Sequence, residues 1–277
     1  MLTLLTVDEK ESSVFRKKLL RCLPVNRIKT EYRASGERML RHIHYINRNG
    51  RINYQKIAKR AGEDRFRILF DGDLLLKNKH IAPFIPTAFR ARLCVNMGLA
   101  VLESMKELPK SFRVGLYDPL GEAVDAAERI VEFTDNFTVV TKSIPLYGKE
   151  AERLMWEKGV SLRVSRRASS ISQCDLIIAP SKLREKFSTK SKAVILTCDC
   201  PSFPLLSRVY YRYDLKLPQN ILPLCPEGFD AELLAGGLYS IWGVYALGSL
   251  VPLLAVNGRD TQTYISLSRY FLDIFSS

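Results

Sequence analysis

The residues best suited to chemistry stand in three short segments of this sequence. Gly115-Leu-Tyr-Asp-Pro-Leu-Gly121 runs from an apolar stretch into a helical one, and Gly121 would let backbone approach a phosphate there. Thr141-Lys142-Ser143 follows a second apolar run and offers a cation and two hydroxyls. Cys174-Asp-Leu-Ile-Ile-Ala-Pro-Ser181 carries a third run into a polar end. If the three ends lie together, Tyr117, Asp118, Leu120, Gly121, Thr141, Lys142, Ser143, Pro180 and Ser181 line one crevice for a nucleotide or phosphorylated small molecule. No residue is assigned a catalytic role, because no Ser-His-Asp signature, P-loop or zinc spacing is present. Cys198-Asp-Cys200 and the pair His42 and His44 each lack the further ligands a metal needs, so no metal is expected.

The elements that must position these segments follow from periodicity. Apolar runs at 112–117, 136–142, 160–164, 175–179 and 193–197 read as strands. Between them, 120–133 and 149–158 read as helices. Strands that alternate with helices and are apolar on both faces imply a parallel sheet covered on both sides. Right-handed crossovers give the order 3-2-1-4-5. The expectation is an α/β chain: a Rossmann-like domain at 111–277 with an open, mostly parallel sheet, behind a smaller basic α+β domain at 1–110. A ligand would then sit at the carboxyl ends of strands one, two and four, where the strand order reverses.

In layout, residues 112–200 resemble the NAD(P)-binding domains of the shikimate dehydrogenase and glutamyl-tRNA reductase type. Thr141-Lys142-Ser143 is similar to the Asn-Arg-Thr turn with which those enzymes hold a 2′-phosphate, and 174–181 is similar to their strand beneath the nicotinamide. The resemblance implies NADP as cofactor and an oxidoreductase, or a degenerate relative. The segment from Gly115 to Gly121 departs from Gly-x-Gly-x-x-Gly: Asp118 would repel a pyrophosphate, and Pro119 has no N–H to give it.

The charge suggests a different partner. The chain carries a formal +13, and residues 1–110 hold 23 Lys and Arg against 11 Asp and Glu. Most of the excess lies between residues 16 and 67, where 16 basic residues face 4 acidic ones. Such asymmetry points to nucleic acid or another polyanion, and a non-catalytic protein that binds one through its basic half is the alternative function. Glu37–Asn47 reads as a helix with Met39, Leu40, Ile43 and Ile46 on one face, and 52–61 as a second. The second resembles the first helix of a helix-turn-helix, but 63–72 then reads as strand and turn where a recognition helix is required. Phe89–Leu108 reads as a core helix.

Six scattered cysteines and no leader-like N-terminus suit a reduced, cytoplasmic setting. Leu233–Gly258 contains no charge, but its glycines and Pro252 favour a buried helix at about 229–250 over a membrane span. Covering such a helix calls for the N-terminal domain or the same helix of a second copy; a homo-oligomer is expected, a homodimer being the commonest form. A last helix is expected at 261–275.

Overall fold

A computed structural model describes residues 2–9, 25–48, 50–70, 78–242 and 250–276. The cations of the basic stretch before residue 25, the turn at 71–72 and the uncharged run at 243–249 lie outside the described residues. In chain order the elements are β1 (Leu2–Glu9), β2 (Arg27–Ser35), β3 (Arg38–Asn47), α1 (Tyr54–Ala61), β4 (Ile68–Phe70) and α2 (Thr87–Ser104). They continue with β5 (Val114–Tyr117), α3 (Val124–Ile130), β6 (Phe137–Val140), α4 (Ile144–Lys158), β7 (Arg163–Ser165), β8 (Leu176–Ala179), β9 (Val194–Thr197) and β10 (Arg208–Tyr210). The last are β11 (Arg212–Asp214), α5 (Ala231–Trp242), β12 (Leu254–Val256), β13 (Thr261–Gln262) and α6 (Tyr264–Ser276). The chain forms two compact units: one holds 1–86 and 217–244, the other 87–216 and 245–277. This division differs from a boundary after residue 110. It assigns α2 to the second unit and returns 217–244 to the first.

The first unit is built on a mixed four-stranded sheet, β2-β3-β1-β4. The helix expected at Glu37–Asn47 is instead strand β3, antiparallel to β2 and parallel to β1. Ser35 pairs with Arg38, so Gly36 and Glu37 form a two-residue hairpin loop, and Gly36 takes the positive φ of 60° that such a loop demands. As a central strand, β3 has both faces covered. His42 and Ile43 are both buried although they point to opposite sides, so Leu40, Ile43 and Ile46, which would share one face of a helix, are divided between the two faces of the strand. On one face α1 packs Ile57, Ala58 and Ala61 onto Leu5, Ile43, Tyr45 and Ile68. α5 meets the same unit closely: Gly237 lies against Leu69 and Leu2, with no room for a Cβ. The Asp230 carboxylate caps α5 by accepting from the amides of Glu232 and Leu233. The described part of the uncharged run after Glu232 thus finds apolar cover within its own chain, although Ile241 stays 43% exposed.

The second unit holds a six-stranded, wholly parallel sheet, β10-β9-β8-β5-β6-β7. All four residues of each of β5, β8 and β9 are buried, as expected for strands covered on both faces. α2 contacts β8, β9 and α6. Its Cys94 thiol donates to the carbonyl of Leu196, and Ser268 on α6 donates to that of Val101. α3 begins only at Val124, because 118–123 forms a loop around Asp118. α4 begins early, at Ile144, with Pro145 in its first turn, where a missing N–H costs no helical bond. A small antiparallel sheet, β11-β12-β13, completes the unit. Among the described residues, no helix is long and apolar enough to cross a membrane.

Candidate functional site

Because β6, β5 and β8 are adjacent and parallel, the loops after them emerge at one edge of the sheet. The crevice residues read from the sequence therefore share one region, but few of them reach solvent. Tyr117 is 2% exposed, packed with Val140, Ile177, Ala179 and Leu183, and burial raises its phenol pKa. Thr141 and Pro180 are also buried. Thr141 donates its amide to the carbonyl of Ser165, while its hydroxyl accepts from the amide of Ser143. The Ser143 hydroxyl donates to the carbonyl of Leu120. Leu120 is exposed, Gly121, Ser143 and Ser181 are partly so, and the Lys142 side chain is 70% exposed with Glu185 at 3.5 Å.

Asp118 governs this edge, and not by repelling a ligand. It is fully buried. Its Oδ1 accepts from the amides of Gly121 and Glu122, both at 3.1 Å. Its Oδ2 accepts from the amide of Ala123 at 2.9 Å and from the Tyr147 hydroxyl at 2.7 Å. Three successive amides at the entry to a helix are the donors a phosphate uses at such a turn, and here the chain's own carboxylate takes them. Gly121, at φ 77°, closes the loop where a Cβ would lie 2.8 Å from Leu146. Tyr147 has no place in the sequence reading. Its hydroxyl pKa is pushed far up, first by burial and then by the charge of Asp118, so it stays a donor.

A second candidate surface lies on the first unit. Asn53 caps α1 by accepting from the amide of Lys56, and the helix buries one apolar stripe. Lys56, Lys59 and Arg60 are left in solvent, and Lys59 and Arg60 sit in the last turn, where cations suit the helix dipole. A 3₁₀ turn, Gly62–Phe66, follows, with Arg65 and Arg67 exposed. Of the two acidic residues in that turn, Glu63 and Asp64, Asp64 is engaged by the Thr3 hydroxyl at 3.0 Å and by Arg41 at 3.8 Å. Arg41 also donates to the carbonyls of Arg60 and Ala61, so it serves the fold. Among the described residues, Lys56, Lys59, Arg60, Arg65 and Arg67 form no ion pair. Two clefts open on this surface, of about 550 and about 730 Å³. Arg51 and Lys56 line the first, Lys59, Arg65 and Phe66 line the second, and Gln55 and His80 belong to both. Phe66 and His80 carry no motif that marks them in the sequence.

The remaining reactive groups are placed apart. The His42 Nε2 lies 2.9 Å from the Thr6 hydroxyl, and the His44 Nε2 lies 2.7 Å from Asp8. Burial first, then the charges of Arg33 and His44, lowers the His42 pKa. Burial raises the Cys198 thiol to about 11 and the Cys174 thiol to about 12, which makes both poor nucleophiles. Among the described residues, no group of three or more His, Cys, Asp or Glu is arranged to hold a metal ion. In comparisons with known proteins, no family model, no curated protein and no solved structure matches this chain.

Proposed function

We propose that this protein binds a polyanion, nucleic acid in particular, through the face of the first unit formed by α1 and the turn at Gly62–Phe66. The second unit then acts as a Rossmann-like scaffold, a reading supported by its strand order and its buried parallel strands. The observation that carries the proposal is a contrast between the two sites. At the sheet edge, the amides suited to a phosphate are taken by Asp118. On the first unit, five cations stand in solvent with no carboxylate partner among the described residues, beside two open clefts. A surface that releases counterions on binding has a signature in salt. Five phosphate contacts give a slope of log K against log[salt] of about −3.5 for a single strand and about −4.5 for a duplex. Fluorescence anisotropy of labelled oligonucleotides with the full chain, repeated across salt concentrations, tests the proposal. Lys56→Ala, Lys59→Ala and Arg65→Ala should each lower the slope by roughly 0.7–0.9. Binding that is absent, or indifferent to all three, contradicts it.

A second reading rests on Lys142, exposed at the carboxyl end of β6 beside β5. A phosphorylated small molecule, NADP included, would meet that ammonium and the Ser143 hydroxyl without using the loop held by Asp118.

A further inference from the structure

We propose that the basic face of the first unit selects single-stranded nucleic acid, with Phe66 as the platform on which a base stacks; this rests on the polyanion reading above. A single exposed apolar side chain is ordinary on any protein. Phe66 differs in its surroundings. It is 52% exposed and lines one cleft with Lys59, Arg65 and His80. The Arg65 guanidinium sits over the ring, 4.7 Å from its centroid, so a cation and an aromatic ring form one unit at the surface. Bases stack on rings and on guanidinium planes alike, and they do so without regard to sequence.

The shape of the surface argues the same way. A duplex keeps its bases stacked inward, and a protein reads it by pushing a helix or a β-ribbon into a groove. Here α1 has only eight residues, about 12 Å of helix. Its flanks are clefts, not ridges. Gln55 and His80 border both clefts, so a track leading from one cleft to the other passes Lys56, Lys59 and Arg65. A flexible backbone can follow that track, turning unpaired bases towards Phe66 while its phosphates meet the cations. Gln55 is exposed and offers both a donor and an acceptor to a base edge.

The experiment compares four labelled ligands by anisotropy with the full chain: a single strand, the duplex made from it, an abasic strand of equal phosphate count, and inorganic polyphosphate. The single strand should bind tightest. Phe66→Leu keeps an apolar side chain without a ring, and it should weaken the single strand roughly 5- to 150-fold while leaving duplex, abasic strand and salt slope unchanged. Phe66→Tyr should restore single-strand binding. Unaltered far-UV circular dichroism of the variants shows that the loss is not misfolding. Equal or tighter binding of duplex or abasic strand overturns the single-strand proposal. So does a neutral Phe66→Leu in a protein that Lys59→Ala still weakens, and in both cases the polyanion reading stands. No binding of any of the four ligands removes both.

Discussion

Replacing Asp118 by alanine tests the account of the second unit most severely. The carboxylate receives four hydrogen bonds, from the amides of Gly121, Glu122 and Ala123 and from the Tyr147 hydroxyl. In the variant, water can serve Gly121 and Glu122, which are partly or largely exposed. It cannot readily reach the amide of Ala123, a residue 5% exposed, or the hydroxyl of Tyr147, which is fully buried. Two stranded donors cost about 1–3 kcal/mol each. Removing a buried carboxylate returns part of that as relieved desolvation, so the net loss should be about 2–4 kcal/mol. Asp118→Asn keeps one acceptor and turns its NH₂ towards a donor, for a loss of about 1–2 kcal/mol. Urea unfolding followed by circular dichroism reads both. A loss below about 1 kcal/mol for alanine, or a larger loss for asparagine than for alanine, would refute the view that this carboxylate holds the loop.

Three further outcomes follow from the same structure. Gly237→Ala should destabilise by about 1–3 kcal/mol because its Cβ would press on Leu69 in a filled core; an exposed helical glycine would gain about 1 kcal/mol from that change, so the sign in a thermal melt decides. The His42 pKa is depressed in the folded chain by burial, Arg33 and His44, with Glu31 opposing. The unfolded chain therefore binds more protons in mild acid. Stability present above pH 6.5, the ordinary histidine value, should fall as pH drops through the lower folded pKa, and His42→Gln should flatten that part of the profile. If NADP(H) binds at the sheet edge, Lys142→Ala should weaken it by about 1–3 kcal/mol and spare NAD(H); calorimetry showing equal losses, or no binding of either cofactor to the parent, removes that reading.

The sequence was most legible where local pattern and burial agree. The runs before Tyr117, Val140 and Ala179 are short, apolar and bounded by polar turns, and each is a strand within a residue or two of its expected span. Pattern misled at β3. Met39, Leu40, Ile43 and Ile46 fit a helical face, but Ser35-Gly36-Glu37-Arg38 is a hairpin turn, and its glycine was the signal that could have outweighed periodicity. The sequence singles out Asp118, but not the part it plays inside its own loop. Read against an external phosphate it repels, whereas the folded loop makes it the acceptor. Asp118 before Pro119, with free amides three to five residues on, resembles a helix cap and was the available clue. The role of Tyr147 had no such clue, since it arises from a contact 29 residues away. Nor did the cover of α5: its glycines implied close packing, but only the fold names Leu2 and Leu69 as the partners. The surface around Phe66 depends on which sides of α1 and the 3₁₀ turn stay in solvent, and charge counting locates that stretch without separating its exposed cations from Arg41, which is spent on backbone carbonyls.

The most direct test of the central claim is amide hydrogen exchange of the full chain with and without a saturating single-stranded oligonucleotide, read peptide by peptide. The account predicts new protection at 51–67 and around His80, with none at 118–123 or 141–143. Protection confined to those two loops, with 51–67 unchanged, would contradict it and return the anion to the sheet edge.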